Sequence, residues 1–530
     1  MAADAWWRGA VIYQIYIRSF ADGNGDGQGD FAGLRSKLGY LAGLGVDAIW
    51  LSPIHPSPDR DWGYDVSDYD GVHPDYGTQQ DFDALLAEAH ALGLKVMTDE
   101  VLAHTSDEHP WFLESLKARD KADWYVWADA RPDGTAPNNW LSAFAGPAWS
   151  FQPARRKYYH HKFLRQQPKL NWRNADARAA VLAVLERWLA RGVDGFRLDV
   201  ANAYLHDPAL TDNPPVPLDQ RTLSSWAHPP NMQFHYNDSN LPENLDALDE
   251  VRRTVERHLD RFVMGEFSEE AERCGCYAAP DEGLHSGYSF PLLEARALGA
   301  QFVREHYAML AKHPLHWPAI AFSNHDVTRT VSRFGGEAPP PGLDKLLLAL
   351  LLSLRGTALL YQGEELGLTQ AHVSRAQLKD PVGDLYYPYV YGRDGCRTPM
   401  PWDGEAENLG FGVGTPWRSV QEAHRKLAVS AQLADPGSTL SFAWRFLAAR
   451  KASAALRLGE IAFRDAPEPL LVFTRTHDEE RVLCVFNMGD VEQTLDIGSA
   501  ASLGIGCGKA ALSGEALHLG PYAAWFGQIV

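Results

Sequence analysis

Charged side chains interrupt several apolar, strand-like runs of this sequence, close to where each run ends. The clearest case is GFRLDV (195–200), in which Arg197 and Asp199 alternate with apolar residues. Because side chains on a strand alternate between its two faces, this charged pair shares one face. A structural ion pair would explain one such strand equally well, since buried pairs persist when both partners are satisfied. A catalytic interpretation therefore needs ionisable residues on other strands.

Ionisable residues do occur near the ends of three other apolar runs. They are Asp99 and His104 at and after the run 94–101, Glu266 in the run 262–267, and His325 and Asp326 after the run 318–323. The carboxylates Asp199, Glu266 and Asp326 suit cleavage of a glycosidic bond, in which one acid protonates the leaving oxygen and another carboxylate attacks or stabilises the sugar carbon. We therefore predict a single catalytic site where these runs end.

The neighbours of two carboxylates suggest different roles for them. Arg197 lies two residues from Asp199 on the same strand face, which predicts that Asp199 stays ionised and acts as the nucleophile. No basic residue adjoins Glu266 in the sequence, so Glu266 is the better general acid. The opposite division of roles stays open, because spacing alone does not decide it.

Short apolar runs alternate with amphipathic, helix-like stretches along most of the chain. The eight runs span 10–17, 47–52, 94–101, 195–200, 262–267, 286–290, 318–323 and 357–362. This alternation predicts an α/β fold, a closed (β/α)8 TIM barrel of parallel strands, whose C-terminal strand ends meet at one pocket. An open doubly wound sheet also fits the alternation, but it would not naturally use eight strands.

Two long segments and the tail depart from this alternation. We expect a barrel formed by 1–101 and 171–455, an inserted subdomain at 102–170 after the third strand, and a long loop at 365–420 after the eighth. Short β patterns from about residue 456 predict an antiparallel β-sandwich domain at 456–530.

Composition limits the partners and the compartment. The formal net charge of −19 argues against nucleic acid and anionic membranes as partners. The N-terminus lacks the pattern of a secretory signal, the five cysteines fit reduced thiols, and the apolar run at 345–354 is too short to cross a bilayer. We expect a cytoplasmic monomer or homodimer that acts on a small-molecule oligosaccharide.

The quoted motifs also resemble a known family. The segments DEVLAH, GFRLDV, MGEF and FSNHD are similar, in this order, to the four signature regions of the α-amylase family, glycoside hydrolase family 13. The resemblance implies that Asp199 is the nucleophile, that Glu266 is the acid/base, and that Asp326 binds sugar hydroxyls and helps to distort the ring. It also implies a covalent glucosyl intermediate and retention of anomeric configuration.

The same resemblance places further residues around the substrate. Those implied at the first sugar are His104, Arg197 and His325. The segment DWGYDVSDY (61–69) resembles the part of exo-acting α-glucosidases that closes the pocket behind the non-reducing sugar. It implies that Asp61 binds terminal hydroxyls together with Arg397, and that Tyr64 stacks under the ring. A closed end implies release of single glucosyl units.

Other residues leave the specificity open. Phe144 and Phe163 either line this pocket or belong to the core of the insertion. In this branch of the family Val200, which follows Asp199, tends to accompany α-1,6 preference. The segments 104–112 and 228–248 instead resemble transglucosylating bacterial α-glucosidases, which favours α-1,4 linkages or broad tolerance.

Two alternatives share these motifs. An isomerase that acts on sucrose or forms trehalose has the same four regions and differs in its loops. A non-catalytic, transporter-associated relative is remote, because such proteins lack the acids and carry a membrane segment. The α-glucosidase reading, with transfer of glucose to acceptors as well as hydrolysis, is the one we test below.

An acidic, glycine-rich loop predicts a structural Ca²⁺ or Mg²⁺ site, and we expect no organic cofactor. In DGNGDGQGD (22–30) the predicted ligands are the side chains of Asp22, Asn24, Asp26 and Asp30 and the carbonyl oxygen of Gln28. Gly33 stands where an EF-hand has Glu, so a true EF-hand is excluded, although the oligo-1,6-glucosidase-like branch carries a similar loop. Solvated acids in a turn are the alternative. Ala103 replaces the Asn of another amylase calcium site, where we expect no metal.

Overall fold

The computed structural model describes residues 5–221, 228–268, 275–279 and 282–529. In chain order the strands are β1 (Val11–Ile15), β2 (Ala48–Leu51), β3 (Lys95–Glu100), β4 (Trp127–Ala128), β5 (Trp149–Gln152), β6 (Lys157–His160), β7 (Gly195–Leu198), β8 (Phe262–Phe267), β9 (Ser286–Ser289), β10 (Ala319–Ala321), β11 (Thr357–Tyr361), β12 (Glu460–Arg464), β13 (Leu470–His477), β14 (Glu480–Asn487), β15 (Gln493–Asp496), β16 (Ala500–Ser502), β17 (Ala510–Ser513), β18 (Ala516–Leu519) and β19 (Ala523–Ile529).

The helices whose bounds are described are α1 (Phe31–Leu44), α2 (Gln79–Ala91), α3 (Pro110–Leu116), α4 (Ala175–Arg191), α5 (Asn244–Val255), α6 (Phe290–Glu294), α7 (Ala300–Leu310), α8 (Thr330–Gly335), α9 (Leu343–Ser353), α10 (Pro381–Tyr386), α11 (Val429–Leu433), α12 (Thr439–Ala452) and α13 (Ala454–Leu458). None of these helices has both the length and the apolar character that a membrane crossing requires.

The eight predicted runs form one parallel, nearly closed barrel, which confirms the predicted fold. Its strand order is β10-β11-β1-β2-β3-β7-β8-β9, and β9 and β10 lie side by side where the ladder is open. Every residue of β1, β2, β7 and β8 is buried, as expected when helices cover the outer face and side chains fill the inner one. The register pairs Asp99 with Arg197 and Glu266 with Tyr288 on neighbouring strands.

Local sequence signals fix where the barrel helices begin and end. Asp30 caps α1 by accepting a hydrogen bond from the backbone of Gly33, and Asn174 caps α4 in the same way. The two helices end at Gly45 and Gly192, whose φ angles of 92° and 115° are left-handed and suit glycine. These helices therefore return the chain to the next strand at defined points.

The insertion and the tail have their own antiparallel sheets. Strands β4, β6 and β5 form a small sheet within 102–170, and an antiparallel bridge between His104 and Lys169 brings the two ends of that segment together. In the tail, β12-β13-β14-β19-β16 and β15-β18-β17 form a five-stranded and a three-stranded sheet. Phe526 of β19 packs against Phe446 of α12, with ring centroids 5.1 Å apart, so the tail rests on the barrel.

Candidate active site

One buried guanidinium joins three carboxylates from three barrel strands. Arg197 Nη1 lies 2.6 Å from an oxygen of Asp99 and 3.0 Å from an oxygen of Asp199. Its Nη2 lies 2.5 Å from Glu266, and its Nε donates to the hydroxyl of Tyr288 at 3.1 Å. Tyr288 in turn donates to Glu266 at 3.0 Å. The predicted convergence of Asp199 and Glu266 at the barrel mouth is therefore present in the structure.

The charge balance of this cluster leaves one cation among three acids. Burial raises the pKa of Asp199 well above its usual range against the opposing charge of Arg197, and the carboxylates of Glu266 and Asp99 act in the same direction as burial. Burial likewise raises the pKa of Asp99 to about 7, although Arg197 acts against it. The single cation therefore does not offset burial, and Asp99 and Asp199 bind a proton more readily than exposed carboxyl groups do.

The sequence-based reason for assigning the two roles is wrong. It took Arg197 as a partner of Asp199 alone, whereas Arg197 is closer to Glu266 (2.5 Å) than to Asp199 (3.0 Å). Glu266 has no charged neighbour in the sequence, but the pairing of β7 with β8 brings Arg197 next to it. Proximity to Arg197 consequently does not distinguish the nucleophile from the acid.

The residue after Asp199 adopts a strained backbone conformation. Val200 has φ 39° and ψ 49°, in the left-handed region that β-branched residues rarely occupy. Such conformations cost about 1–3 kcal/mol and persist where the surroundings impose them. Here the backbone N–H of Val200 donates to the second oxygen of Glu266 at 3.3 Å. The turn thus ties the segment of Asp199 to Glu266.

A second group of charges surrounds Asp326. One of its oxygens lies 2.8 Å from Arg397 and 3.2 Å from Arg393, and the other lies 3.2 Å from His325 Nε2. Burial opposes ionisation, but His325 and the two guanidinium groups hold the pKa of Asp326 well below its usual range. Burial lowers the pKa of His325, so the ring is neutral, and Gln14 donates to its Nδ1 at 2.7 Å. Asp326 therefore stays ionised.

The ion pair that Asp61 forms at the cavity wall, where the resemblance predicts a closed end, differs from the predicted one. Asp61 pairs with Arg393 at 2.6 Å and accepts a hydrogen bond from Gln167 at 3.1 Å. Arg393 also pairs with the buried Asp380 at 2.6 Å. The expected pairing of Asp61 with Arg397 is wrong, because Arg397 is fully buried and binds Asp326 instead. The segment at 392–402 contains both arginines, and its spacing did not distinguish them.

Tyr64 and His104 connect the closed end to the charged clusters. The Tyr64 hydroxyl donates to Asp99 at 3.0 Å, and its ring stacks on that of His325 with centroids 5.3 Å apart and an interplanar angle of 7°. His104 Nε2 lies 2.9 Å from the carbonyl oxygen of Tyr64 and donates to it. Burial lowers the pKa of His104 to about 4, so its ring is neutral near pH 7.

Many of the residues described above line a cavity of about 2500 Å³. The predicted site residues on its wall are Asp61, Tyr64, His104, Phe144, Phe163, Asp199, Val200, Glu266 and Asp326. Arg197, His325 and Arg397 lie behind this wall, with no exposed surface. Both Arg197 and His325 hold carboxylates that face the cavity, and their contact with the first sugar stays a prediction.

Phe144 and Phe163 line the cavity and pack on each other. Their rings meet edge to face with centroids 5.4 Å apart, and the guanidinium of Arg393 lies 5.2 Å from the centre of Phe144. The ring of Phe163 also packs against that of His104, with centroids 5.4 Å apart. Both readings of these residues, as pocket wall and as packing, therefore apply at once.

Sequence reasoning missed several polar partners in the site. They are Gln14, Gln167, Tyr288, Asp380 and Arg393. Two of them could have been predicted, because Gln14 and Tyr288 are side chains with polar groups inside predicted strands. Gln167 and Asp380 come from long loops, where no periodicity indicates the direction of a side chain.

The oxygens of the 22–30 loop bind the backbone of the loop itself. Asp22 accepts from the N–H groups of Gly25 and Gly27, and Asp26 accepts from that of Gln28. Asp30 accepts from three backbone N–H groups, including that of Gly33 in the first turn of α1. The predicted donors Asp22, Asn24, Asp26 and the Gln28 carbonyl are all oxygens, as a hard cation requires, while Asp30 is largely used as a cap. In this structure, however, the carboxylates of Asp22, Asp26 and Asp30 do not all lie close enough together to share one ion. The metal site stays a prediction.

A second group of potential ligands holds a cation of the protein's own. Asp59, His73 and Asp75 lie close enough to share a metal ion. The buried guanidinium of Arg18, however, pairs with Asp59 at 2.7 Å and with Asp75 at 2.8 Å. It also bonds the side chain of Gln28, which links this group to the 22–30 loop. Arg18 already supplies the positive charge that these acids need.

Comparison with known proteins agrees with the geometry. Residues 14–459 match the family model "Alpha amylase, catalytic domain". A probable alpha-glucosidase of Rhizobium meliloti (strain 1021) is 49% identical over 505 residues, which cover 93% of this chain and 91% of that protein.

Two solved structures have the same fold over almost the whole chain. The alpha-glucosyl transfer enzyme XgtA superposes with a TM-score of 0.95 and 46% identity, covering 99% of each chain. The trehalulose synthase MutB of Pseudomonas mesoacidophila MX-45 superposes with a TM-score of 0.89 and 31% identity, again covering 99% of each chain. With the barrel, its converging acids and these matches, the chain belongs to the α-amylase family of glycoside hydrolases.

Proposed function

We propose that the protein is a retaining, exo-acting α-glucosidase that releases single glucose units from the non-reducing end of short α-glucosides of the maltose or isomaltose type. The observation that carries the proposal is the meeting of Asp199 and Glu266 on one guanidinium at the cavity wall. The ion pair between Asp61 and Arg393 across one end of the cavity supports the exo-acting mode.

The chemistry uses the two acids in turn. In the first step, Glu266 gives its proton to the glycosidic oxygen while a carboxylate oxygen of Asp199 attacks C1, which breaks the glycosidic bond and forms a β-glucosyl ester on Asp199. In the second step, Glu266 takes a proton from water or an acceptor hydroxyl, whose oxygen attacks C1 and releases Asp199 as a carboxylate. Two inversions give net retention.

The other charged groups hold the sugar for this chemistry. Asp326 stays ionised beside Arg393 and faces the cavity, so it accepts hydrogen bonds from sugar hydroxyls. Asp61 and Arg393 offer an acceptor and a donor to the terminal hydroxyls at the closed end. Arg197 and His325 position the carboxylates from behind the cavity wall.

Transfer of glucose to an acceptor other than water accompanies hydrolysis in this proposal. Both reactions start from the same glucosyl ester, because water and an acceptor hydroxyl compete for the same carbon. The similarity to an enzyme described as an alpha-glucosyl transfer enzyme supports this part of the proposal. The similarity to a trehalulose synthase favours one second candidate, isomerisation of sucrose.

The preferred linkage depends on two opposed arguments. Val200 follows Asp199 and lines the cavity. In the branch of the family that this chain resembles, Val at this position tends to accompany a preference for α-1,6 bonds. The segments 104–112 and 228–248 resemble enzymes with broader or α-1,4 preference. Comparing initial rates on isomaltose and maltose separates them, and a large excess on maltose contradicts the Val200 argument.

Product analysis on maltose, isomaltose, sucrose and trehalose tests the function, with Asp199→Asn as the paired variant. We expect the native chain to release glucose from maltose or isomaltose, and we expect Asp199→Asn to lose about 10⁴-fold or more in kcat. Full activity in Asp199→Asn contradicts the mechanism. Conversion of sucrose to an isomer as the main reaction favours the second candidate. A cytoplasmic location and a monomeric or dimeric state remain predictions from the sequence.

A further inference from the structure

A buried asparagine three residues after Asp199 joins two groups on the cavity wall. Asn202 has no exposed surface and lies in the short turn Ala201–Ala203. Its Nδ2 donates to Asn240 Oδ1 at 2.8 Å and to Ser268 Oγ at 3.0 Å. Its carbonyl oxygen accepts the backbone N–H of Asn240 at 2.8 Å. Both hydrogens of the amide are therefore used to fix side chains of other segments.

The two groups that Asn202 fixes face the cavity beside the acids. Asn240 and Ser268 line the cavity, and Ser268 comes two residues after Glu266 at the end of β8. They belong to different segments from Asp61 and Arg393, which form the closed end. Asn202 thus connects the turn after β7, the end of β8 and the segment before α5 at the part of the wall next to Glu266.

The direction of these bonds orients the wall groups. Because Ser268 Oγ accepts from Asn202, the O–H hydrogen of Ser268 is directed away from Asn202. Because Asn240 Oδ1 accepts from Asn202, the NH₂ group of Asn240 is likewise turned away from it. A carboxylate at position 202 would offer these oxygens no donor, so the orientation depends on the amide.

We propose that Asn202 is a positioning residue for the acceptor. It holds Asn240 and Ser268 as an acceptor-binding edge beside Glu266, and this edge favours transfer of the glucosyl group to a sugar hydroxyl over hydrolysis. A saccharide carries several hydroxyls that such an edge can hold while one of them reaches Glu266, whereas water needs no edge. The inference rests on the proposed function, since it concerns the second step of that reaction.

The test measures how the intermediate divides. With p-nitrophenyl α-glucoside as donor and cellobiose as added acceptor, whose β-linkage an α-glucosidase does not cleave, nitrophenol reports total turnover and free glucose reports hydrolysis, so their difference reports transfer. The ratio of transfer to hydrolysis does not depend on the overall rate. We expect Asn202→Asp to lower this ratio by about fivefold or more, as loss of oriented hydrogen bonds implies.

A matched variant separates this role from general damage to the turn. Asn244 is also buried, donates to the carbonyl oxygen of Ala201 at 2.8 Å and accepts from the backbone of Tyr204. Asn244→Asp therefore disturbs the same turn through its backbone, and we expect it to lower stability without lowering the ratio. Ser268→Ala leaves the turn intact, and we expect it to lower the ratio in the same direction as Asn202→Asp.

The outcomes distinguish this inference from the proposed function. An unchanged ratio in Ser268→Ala and Asn202→Asp overturns the inference, as does an equal fall in Asn244→Asp. If Asn202→Asp does not fold, Ser268→Ala alone decides. Turnover without any acceptor product from the native chain also overturns it. Absence of nitrophenol release from the native chain contradicts the proposed function instead.

Discussion

At the residue scale, the site depends on which arginine meets which acid. Arg393 reaches Asp61, Asp326 and Asp380 at 2.6 to 3.2 Å, and it lines the cavity. Arg397 has no exposed surface and holds Asp326 from behind. We therefore expect substrate recognition near Asp61 to depend on Arg393, and Arg397 to act through Asp326.

This difference predicts unequal effects of two conservative changes. Arg393→Lys keeps the charge but loses the planar fork that bonds several acids at once. We expect it to lower kcat/KM on maltose by about tenfold to a hundredfold, mainly through KM. Arg397→Lys is the matched control, and we expect it to change KM less. A larger rise of KM in Arg397→Lys would contradict these separate roles of the two arginines.

A second prediction at this scale concerns the buried ring of His104. Burial lowers its pKa to about 4, whereas an unfolded imidazole has its usual value of about 6.5. The unfolded chain therefore binds this proton first on acidification, so stability is lost as pH falls from 6.5 towards 4. The His104→Gln variant has no imidazole at this position, so it does not lose this part of its stability on acidification.

Urea unfolding of both chains at pH 7 and pH 4.5 measures the effect. The free energy of unfolding of the native chain, relative to His104→Gln, should fall by about 2 kcal/mol between the two pH values. Other histidines titrate equally in both chains and cancel in the difference. A difference that does not change with pH would contradict a neutral, buried ring.

The sequence predicted the acids of this site better than their partners. Asp199 and Glu266 interrupt apolar runs and Asp326 follows one closely, and a charge at such a place is conspicuous. Arg393 and Gln167 lie in long loops, where the sequence does not show which way a side chain points. The contact between Arg197 and Glu266 joins two strands and is set by the register of the barrel.

At the element scale, the eight strands were predictable because each is short, apolar and followed by a helical pattern. The helix caps at Asp30 and Asn174 follow from residue type alone. The strained turn at Val200 does not, because a β-branched residue gives no sequence signal for a left-handed conformation. Such a position becomes visible only when the bond from its N–H to Glu266 is seen.

The 22–30 loop gives the prediction at this scale. If Ca²⁺ or Mg²⁺ binds there, chelation should lower the midpoint of thermal unfolding, and added Ca²⁺ should restore it, because ligands that bind only the folded state stabilise it. Asp26→Asn removes one predicted ligand charge from an exposed position of the loop. In the absence of chelator, this variant should unfold at a lower midpoint temperature than the native chain. Addition of chelator should lower its midpoint by less than that of the native chain. A native midpoint that chelation does not move would contradict the site.

At the scale of the whole molecule, three parts of the chain enclose the cavity. His228 contacts two of them: its Nε2 donates to the carbonyl oxygen of Ala143 in the insertion at 2.8 Å, and its ring meets that of Tyr386 in α10 edge to face with centroids 5.0 Å apart. The insertion and the loop after β11 thus meet over the barrel mouth. The barrel supplies the acids, and these additions limit access to them.

The central claim is that Asp199 and Glu266 act as a nucleophile and an acid/base on one glucosidic carbon. Both carboxylates contact one guanidinium, which fits the short separation of the two acids that a retaining mechanism uses. The claim therefore fixes the configuration of the product.

The most direct test is proton NMR of the first glucose released from an α-glucoside, recorded faster than its mutarotation. The account predicts that α-glucose appears first and that the β-anomer follows as the sugar equilibrates. Appearance of β-glucose first would show inversion by a single displacement, and it would contradict a covalent intermediate on Asp199.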